Sequence, residues 1–190
     1  MSVEALCRWI DELLVYQPQT FIAIDGDCGS GKTTLAEALQ AQYDCNILPM
    51  DHFFLQPEQR TPERLAAPGG NVDYERFLAE VLIPLQAGAP FCYRPFNCQT
   101  GRMGERIAVS PRPVNIIEGT YSLHPTLSSA YHVRVFLAID PAEQLRRLAL
   151  RDGGRLLGRF REEWIPMEKQ YFAHFNVPEQ CDFLFSCEAP

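Results

Sequence analysis

A run of glycines and hydroxyl residues around one lysine has the types and spacing that bind a phosphate chain. The run is Gly26-x-x-x-x-Gly31-Lys32-Thr33, and it directly follows the apolar segment 20–25. Glycines at this spacing let the backbone curl until successive N–H groups point inward, and the next helix aims its positive dipole end at the same place. We therefore predict that an anion binds here. The alternative is an ordinary glycine-rich turn between a strand and a helix.

The side chains of this loop suggest which anion binds. Lys32 would place a point charge against the outer phosphates of a nucleotide and would act in catalysis by stabilising the charge that spreads during transfer. The Thr33 hydroxyl would hold a Mg²⁺ ion that bridges two of the phosphates. The predicted nucleotide-binding residues are those of the loop and the first helical turn, namely Gly26, Asp27, Cys28, Gly29, Ser30, Gly31, Lys32, Thr33 and Thr34.

Two carboxylates follow other apolar runs. Asp51 comes after residues 45–50, and Glu118 ends residues 114–118. Transfer of a phosphoryl group to an alcohol needs a carboxylate that orients the hydroxyl and takes its proton, and Asp51 is the best candidate. We predict that Asp51 and Glu118 join Thr33 at the metal. The alternatives are a turn or helix-capping acid for Asp51 and a solvated strand-end acid for Glu118.

Arginines near residue 150 form a further group of candidates. Arg147, Arg151 and Arg155 are spaced four apart, so they would share one helix face if the helix persists, and Gly153-Gly154 would supply a hinge. We predict a lid over residues 147–160 in which Arg147 and Arg151 contact the phosphates, with Arg151 acting in catalysis. A solvated helix face that pairs with Glu143 and Asp152 is an equally good interpretation of any single arginine.

The segments that must position these residues alternate between strands and helices. Apolar runs of strand length occupy 20–25, 45–50, 114–118, 133–139 and 182–187. Helical spacing occupies 3–16, 35–41, 74–86, 142–150 and 160–175. This pattern predicts an α/β fold with a five-stranded parallel sheet, helices on both faces, and a site at the carboxyl ends of the strands. Segments 49–73 and 88–113 are rich in proline and too long for simple connections, so we expect them to face the substrate.

Bulk composition narrows the class of protein. With 190 residues, of which 46% are hydrophobic, the chain is predicted to form a single domain over 1–190. The net charge of −7 predicts no nucleic-acid or anionic-membrane partner. We find no stretch long enough to span a membrane and no secretion signal, and we expect a soluble cytoplasmic protein. None of the seven cysteines belongs to a C-x-x-C pair, which favours free thiols.

These motifs together resemble the uridine kinase-like branch of the P-loop small-molecule kinases, which includes phosphoribulokinase, pantothenate kinase and nicotinamide riboside kinase. The resemblance covers nearly the whole chain. It is carried by the segments 26–33, 50–54, 68–77 and 118–125 and by the arginine-bearing lid. It implies a P-loop NTPase three-layer sandwich that uses ATP and Mg²⁺.

The resemblance also implies roles for particular residues. Asp51 matches the catalytic base, Glu118 the metal-linked acid, and Arg147 and Arg151 the lid arginines. Asp73 matches the acid that binds ribose hydroxyls in nucleoside kinases. Three further residues are predicted to contact the acceptor, namely Phe53 in segment 50–54 and Tyr93 and Arg94 in segment 88–113, with Tyr93 placed near the base.

We therefore predict an ATP-dependent kinase that phosphorylates the 5′-hydroxyl of a uridine- or cytidine-like nucleoside. A kinase of another small alcohol, such as nicotinamide riboside, pantothenate or a sugar, is an alternative. A regulatory ATPase without an acceptor is another, although no guanine-reading motif is present. The sequence leaves the base, the choice between ATP and GTP, and a homo-oligomer open.

Overall fold

A computed structural model describes residues 2–187, except for the side chain of Asp152. The helices are α1 (Val3–Tyr16), α2 (Lys32–Gln40), α3 (Pro62–Ala66), α4 (Tyr74–Phe77), α5 (Ile83–Gln86), α6 (Pro125–Ser128), α7 (Pro141–Asp152), α8 (Leu157–Arg159) and α9 (Ile165–Phe175). Short 3₁₀ turns cover Met50–Phe53, Pro57–Gln59 and Pro178–Gln180. Within 2–187, no helix is long and apolar enough to cross a membrane.

Five strands form one parallel sheet. They are β1 (Thr20–Gly26), β2 (Cys45–Pro49), β7 (Val114–Glu118), β8 (Val133–Ile139) and β9 (Phe183–Cys187). Their order is β2-β7-β1-β8-β9, so β1 lies at the centre between β7 and β8. The predicted parallel sheet is therefore confirmed. Its order brings the carboxyl ends of β2, β7 and β1 side by side.

Helices cover both faces of this sheet, as the continuous apolar strands predicted. In β1, Ile22 and Ile24 face the side packed by α1 and α2, where Leu6 and Leu39 are fully buried. The alternate residues of β1 belong to a second core that includes residues of α9 and of the 74–86 segment. The two cores and the sheet between them form the three-layer sandwich.

Segment 88–113 differs from the irregular loop that was predicted. It contains four short strands, β3 (Phe91–Tyr93), β4 (Phe96–Asn97), β5 (Arg102–Met103) and β6 (Ile107–Val109). Antiparallel pairs join β3 to β6 and β4 to β5. The short β-branched run 107–109 pairs with an aromatic strand, so the segment forms nested hairpins despite its prolines.

Two of the predicted continuous helices contain a π-helical turn. Leu78–Leu82 separates α4 from α5, and Phe160–Trp164 precedes α9. In each case a proline follows two residues later, Pro84 or Pro166. Proline has no N–H to donate and its ring crowds the preceding turn, which accounts for the widened helix.

The predicted alignment of three lid arginines is wrong for one of them. Helix α7 ends at Asp152, and Gly153 adopts a φ of 68° that glycine tolerates at a helix C-terminus. Arg155 therefore lies in the turn after the helix. Only Arg147 and Arg151 share a helix face.

Candidate active site

The loop between β1 and α2 has the backbone geometry of a phosphate cradle. Gly26 has a φ of 137°, and a Cβ atom there would lie 2.1 Å from the Leu137 carbonyl oxygen, so only glycine fits. Lys32 begins α2 and is 8% exposed. Its Nζ donates to the carbonyl oxygens of Gly26 and Asp27, both at 2.8 Å. The lysine charge is thus held directly at the loop.

A buried acid that the sequence reasoning did not single out supports this loop from beneath. Asp25 is fully buried and accepts hydrogen bonds from the N–H groups of Gly26, Tyr121 and Leu123 at 2.7, 3.1 and 2.9 Å. The Tyr171 hydroxyl also donates to it, at 2.9 Å. Burial raises the pKa of Asp25, while these donors oppose that rise. Asp25 thereby ties the loop to the segment after β7 and to α9.

Asp27, predicted to bind nucleotide, has its side chain occupied elsewhere. Its carboxylate is 2% exposed and accepts from Lys169 Nζ at 2.7 Å and from the Ile139 N–H at 3.1 Å. Its backbone N–H donates to the Leu137 carbonyl oxygen at 3.0 Å, and its carbonyl oxygen accepts from Lys32 Nζ at 2.8 Å. Both the carboxylate and the N–H of Asp27 are therefore engaged within the protein, where they support the shape of the loop.

The carboxyl end of β7 supplies an oxygen donor next to the loop. Thr33 Oγ1 donates to Glu118 Oε2 at 3.3 Å. Burial raises the pKa of Glu118, and the negative charge of Asp51 raises it further, whereas Lys32 lowers it. The two carboxylates are thus close enough to repel each other, which is the situation that a divalent cation relieves.

The oxygen atoms of Thr33, Asp51 and Glu118 fit Mg²⁺, which prefers oxygen ligands and keeps several waters. Within the described part of the chain, no cluster of three His, Cys, Asp or Glu side chains forms a metal site of its own. Such a sparse protein contribution suits an ion that also takes ligands from phosphate groups.

The two lid arginines are in different situations. Arg147 donates to Glu143 at 2.7 Å and to the Gly29 carbonyl oxygen at 3.3 Å, which fixes it beside the loop. The Arg151 side chain is exposed, and it makes no hydrogen bond or ion pair with the described side chains of 2–187. It lines the same cavity as the loop, so its guanidinium is available to a ligand.

One cavity of about 850 Å³ joins these groups. On the nucleotide side it is lined by residues of the loop, by Glu118 and by Arg151. On the other side it continues past Asp51 to a wall made by segments 49–73 and 88–113 and by the region before α9. That wall includes Phe54, Arg60, Asn71, Phe96, Cys98, Arg159 and Trp164, and Tyr121 and Glu168 also line the cavity. Both predicted substrate-side segments therefore contribute to the cavity.

Four of the predicted acceptor residues are not part of the cavity wall within 2–187. Phe53 is 1% exposed and packs on Phe77 and Tyr93 in the core. Tyr93 is 3% exposed, and its hydroxyl lies 3.0 Å from His52 Nδ1. Arg94 lies on the hairpin surface and donates to the Gly104 carbonyl oxygen at 2.8 Å.

Asp73 is the fourth of these residues. It caps α4 by accepting from the Arg76 N–H at 3.0 Å, and its other oxygen accepts from Gln59 Nε2 at 2.7 Å. It is 4% exposed. In this arrangement Asp73, the last residue of the 49–73 segment, holds that segment against the start of α4 and lies two residues after Asn71, which lines the cavity.

The residues that sequence reasoning missed gave weak signals. Asn71 is part of segment 68–77, which carried the family resemblance, but the role of binding the sugar was assigned to Asp73, two residues later. Arg60 comes directly before Thr61, which caps α3. Glu168 lies in α9, three residues from the buried Tyr171, a helical spacing that predicts burial and is unusual for an acidic residue.

Solved structures of other proteins superpose on nearly the whole chain. A candidate fructose transport system kinase from Silicibacter sp. TM1040 is 27% identical, with a TM-score of 0.73 over 97% of this chain and 99% of that one. A candidate uridine kinase from Bacillus stearothermophilus is 19% identical, with a TM-score of 0.67 over 95% and 99%. Phosphoribulokinase from Rhodobacter spheroides is 12% identical, with a TM-score of 0.60 over 90% and 71%.

The chain has the fold of the uridine kinase-like P-loop kinases. The resemblance that its motifs indicated is thus confirmed at the level of the fold. No protein-family model matches the sequence, and neither does any curated protein. The P-loop kinase fold accounts for the position of the cavity, because ligands of open parallel sheets bind at the carboxyl ends of the strands.

Proposed function

We propose that this protein is an ATP-dependent kinase that transfers a phosphoryl group to a hydroxyl of a small molecule. The observation that carries the proposal is the single cavity into which the phosphate loop, the Thr33–Glu118 pair and Asp51 all open. Its volume of about 850 Å³ lies in the upper part of the usual range for ligand pockets.

Each residue has a distinct role in this scheme. The loop amides and Lys32 bind the phosphates of the donor, and Arg151 stabilises the charge that spreads over the transferred group. Asp51 orients the acceptor hydroxyl and takes its proton as the new bond forms. Thr33, Asp51 and Glu118 would hold Mg²⁺, which would neutralise part of the phosphate charge. Closure of the 147–160 segment would exclude water from the cavity.

For the acceptor, we propose the 5′-hydroxyl of a nucleoside as the first candidate. The support is the motif resemblance around Pro68–Phe77, together with a cavity wall that offers aromatic rings at Phe54 and Phe96 for a base and polar groups at Asn71 and Arg60 for a sugar. In this structure Asp73 could reach ribose hydroxyls only if Gln59 released its carboxylate.

A sugar is the second candidate acceptor. The observation that favours it is the 27% identity and the TM-score of 0.73 with the candidate fructose transport system kinase. A sugar presents several hydroxyls but no base, so it would use the polar part of the wall and leave the aromatic part uncovered. The two candidates therefore differ in whether Phe54 and Phe96 matter for acceptor binding.

An acceptor panel tests the proposal. ADP release from Mg·ATP should be slow alone and should rise at least tenfold with one class of acceptor, either pyrimidine nucleosides or sugars. Replacement of Phe96 by leucine should raise KM for a nucleoside while leaving KM for a sugar unchanged. Slow hydrolysis that no acceptor stimulates would instead favour a regulatory ATPase.

A further inference from the structure

Helix α9 contacts the phosphate loop through a buried acid that the proposed mechanism does not use. Glu168 Oε2 accepts from the Cys28 N–H at 3.1 Å. Together with the bonds that Lys169 and Tyr171 make to the loop, this contact fixes the residues before the glycine turn. Because only the π-helical turn Phe160–Trp164 separates α9 from the 147–160 segment, the contact also connects that segment to the loop.

The surroundings of Glu168 make its ionised form energetically unfavourable. Its side chain is 6% exposed, yet it lines the cavity. The groups that face it are Lys32, the Cys28 amide and thiol, Asp27 and Tyr121. Burial raises the pKa of Glu168 to about 7, and Asp27 adds to the rise, whereas Lys32 and the Cys28 amide oppose it. Lys32 is therefore the cation that helps to keep Glu168 ionised.

Binding of a triphosphate would make the ionised form of Glu168 less favourable. Several negative charges arrive at the loop, and Lys32 becomes engaged by the phosphates. An ionised Glu168 then faces a like charge in a poorly hydrated site, which disfavours its charged form. A neutral carboxyl group avoids the repulsion and still accepts the Cys28 hydrogen bond through its carbonyl oxygen.

We propose that Glu168 is a positioning residue of the nucleotide site, which holds the Cys28 amide as a neutral carboxyl group and therefore takes up a proton when a triphosphate binds above neutral pH. The proton comes from solvent and binds to the carboxylate, and no other bond changes. This inference rests on the proposed nucleotide binding at the phosphate loop.

Calorimetry of nucleotide binding tests it. Wild-type protein, Glu168→Gln and the matched control Glu162→Gln would be titrated at pH 8 with Mg²⁺ and an ATP analogue bridged by a β,γ-methylene group, in buffers of different ionisation enthalpy. Glu162 is exposed and is not one of the residues that line the cavity. Wild type and the control should take up about one proton more than Glu168→Gln, because the glutamine cannot titrate but can accept the same hydrogen bond.

The pH dependence of Kd is a second measurement of the same proton uptake. Between pH 6.5 and 8.5 the Kd of wild type should rise by up to about tenfold per pH unit, and the Kd of Glu168→Gln should rise less. Equal proton uptake by wild type and Glu168→Gln would overturn the inference while leaving the proposed function intact. If Glu168→Gln does not fold, zero uptake by wild type at pH 8 overturns it. Failure of wild type to bind the nucleotide would overturn the proposed function as well.

Discussion

The two halves of the cavity differ in how directly the sequence specifies them. On the nucleotide side, the predicted loop, Lys32, Thr33 and Glu118 lie together where the motif placed them. On the acceptor side, predicted residues such as Tyr93 and Arg94 lie outside the wall, and their neighbours form it instead.

The difference reflects how each half is built. The nucleotide side consists mainly of backbone N–H groups and residues adjacent to strand ends, so a short sequence pattern fixes its geometry. The acceptor side consists of side chains from segments 49–73 and 88–113, whose orientation depends on how short helices and hairpins pack. A one-residue change of register in such a segment exchanges a wall residue for a core residue.

Among the variants that compare the two halves of the cavity, the largest effect is expected for an arginine of the 147–160 segment. Arg151→Ala should lower kcat by about 100-fold, because it removes a charge aimed at the transferred phosphoryl group. The matched variant Arg155→Ala should change kcat less than twofold, since Arg155 lies in the turn after α7 and does not line the cavity. Steady-state kinetics with ATP and the identified acceptor measures both. Equal losses in the two variants would contradict the assignment.

A change in KM of intermediate size distinguishes the residues that line the cavity from the acceptor residues predicted from the sequence. Arg60→Ala should raise KM for the acceptor by about tenfold, the order expected for loss of one hydrogen-bonding charged group. Arg94→Ala should leave that KM within a factor of two, because Arg94 donates to Gly104 on the hairpin surface. A raised KM in Arg94→Ala together with an unchanged KM in Arg60→Ala would show that the acceptor binds outside this cavity.

The smallest effect is expected at Asp73. Asp73→Ala should lower the free energy of unfolding by about 1 to 2 kcal/mol, because it removes the N-cap of α4 and leaves Gln59 without its acceptor. Chemical denaturation measures this loss. Comparison of activity with nucleosides and with their 2′-deoxy analogues then tests whether Asp73 also binds ribose. If Asp73 binds ribose, the variant should lose discrimination between them; if it acts only as a cap, both should be affected equally.

The sequence predicted the scaffold better than the contacts. Continuous apolar strands and the loop motif were sufficient for the five-stranded sheet and for the position of Lys32. The π-helical turns before Pro84 and Pro166 were not predicted, because apolar periodicity does not register one widened turn. Nor was the burial of Asp25, whose donors Tyr121 and Tyr171 come from distant parts of the chain. Such long-range contacts are decided by packing of the whole fold.

The most direct test of the kinase proposal is ³¹P NMR of the products formed from Mg·ATP and a saturating acceptor, with wild type, Asp51→Asn and the control Glu58→Gln. Glu58 is exposed and lies outside the cavity wall. Wild type and Glu58→Gln should convert the acceptor to its phosphomonoester, and Asp51→Asn should do so about 1,000-fold more slowly while binding ATP within about threefold of wild type. Formation of the ester by Asp51→Asn at the wild-type rate would contradict the account, as would release of inorganic phosphate alone by wild type.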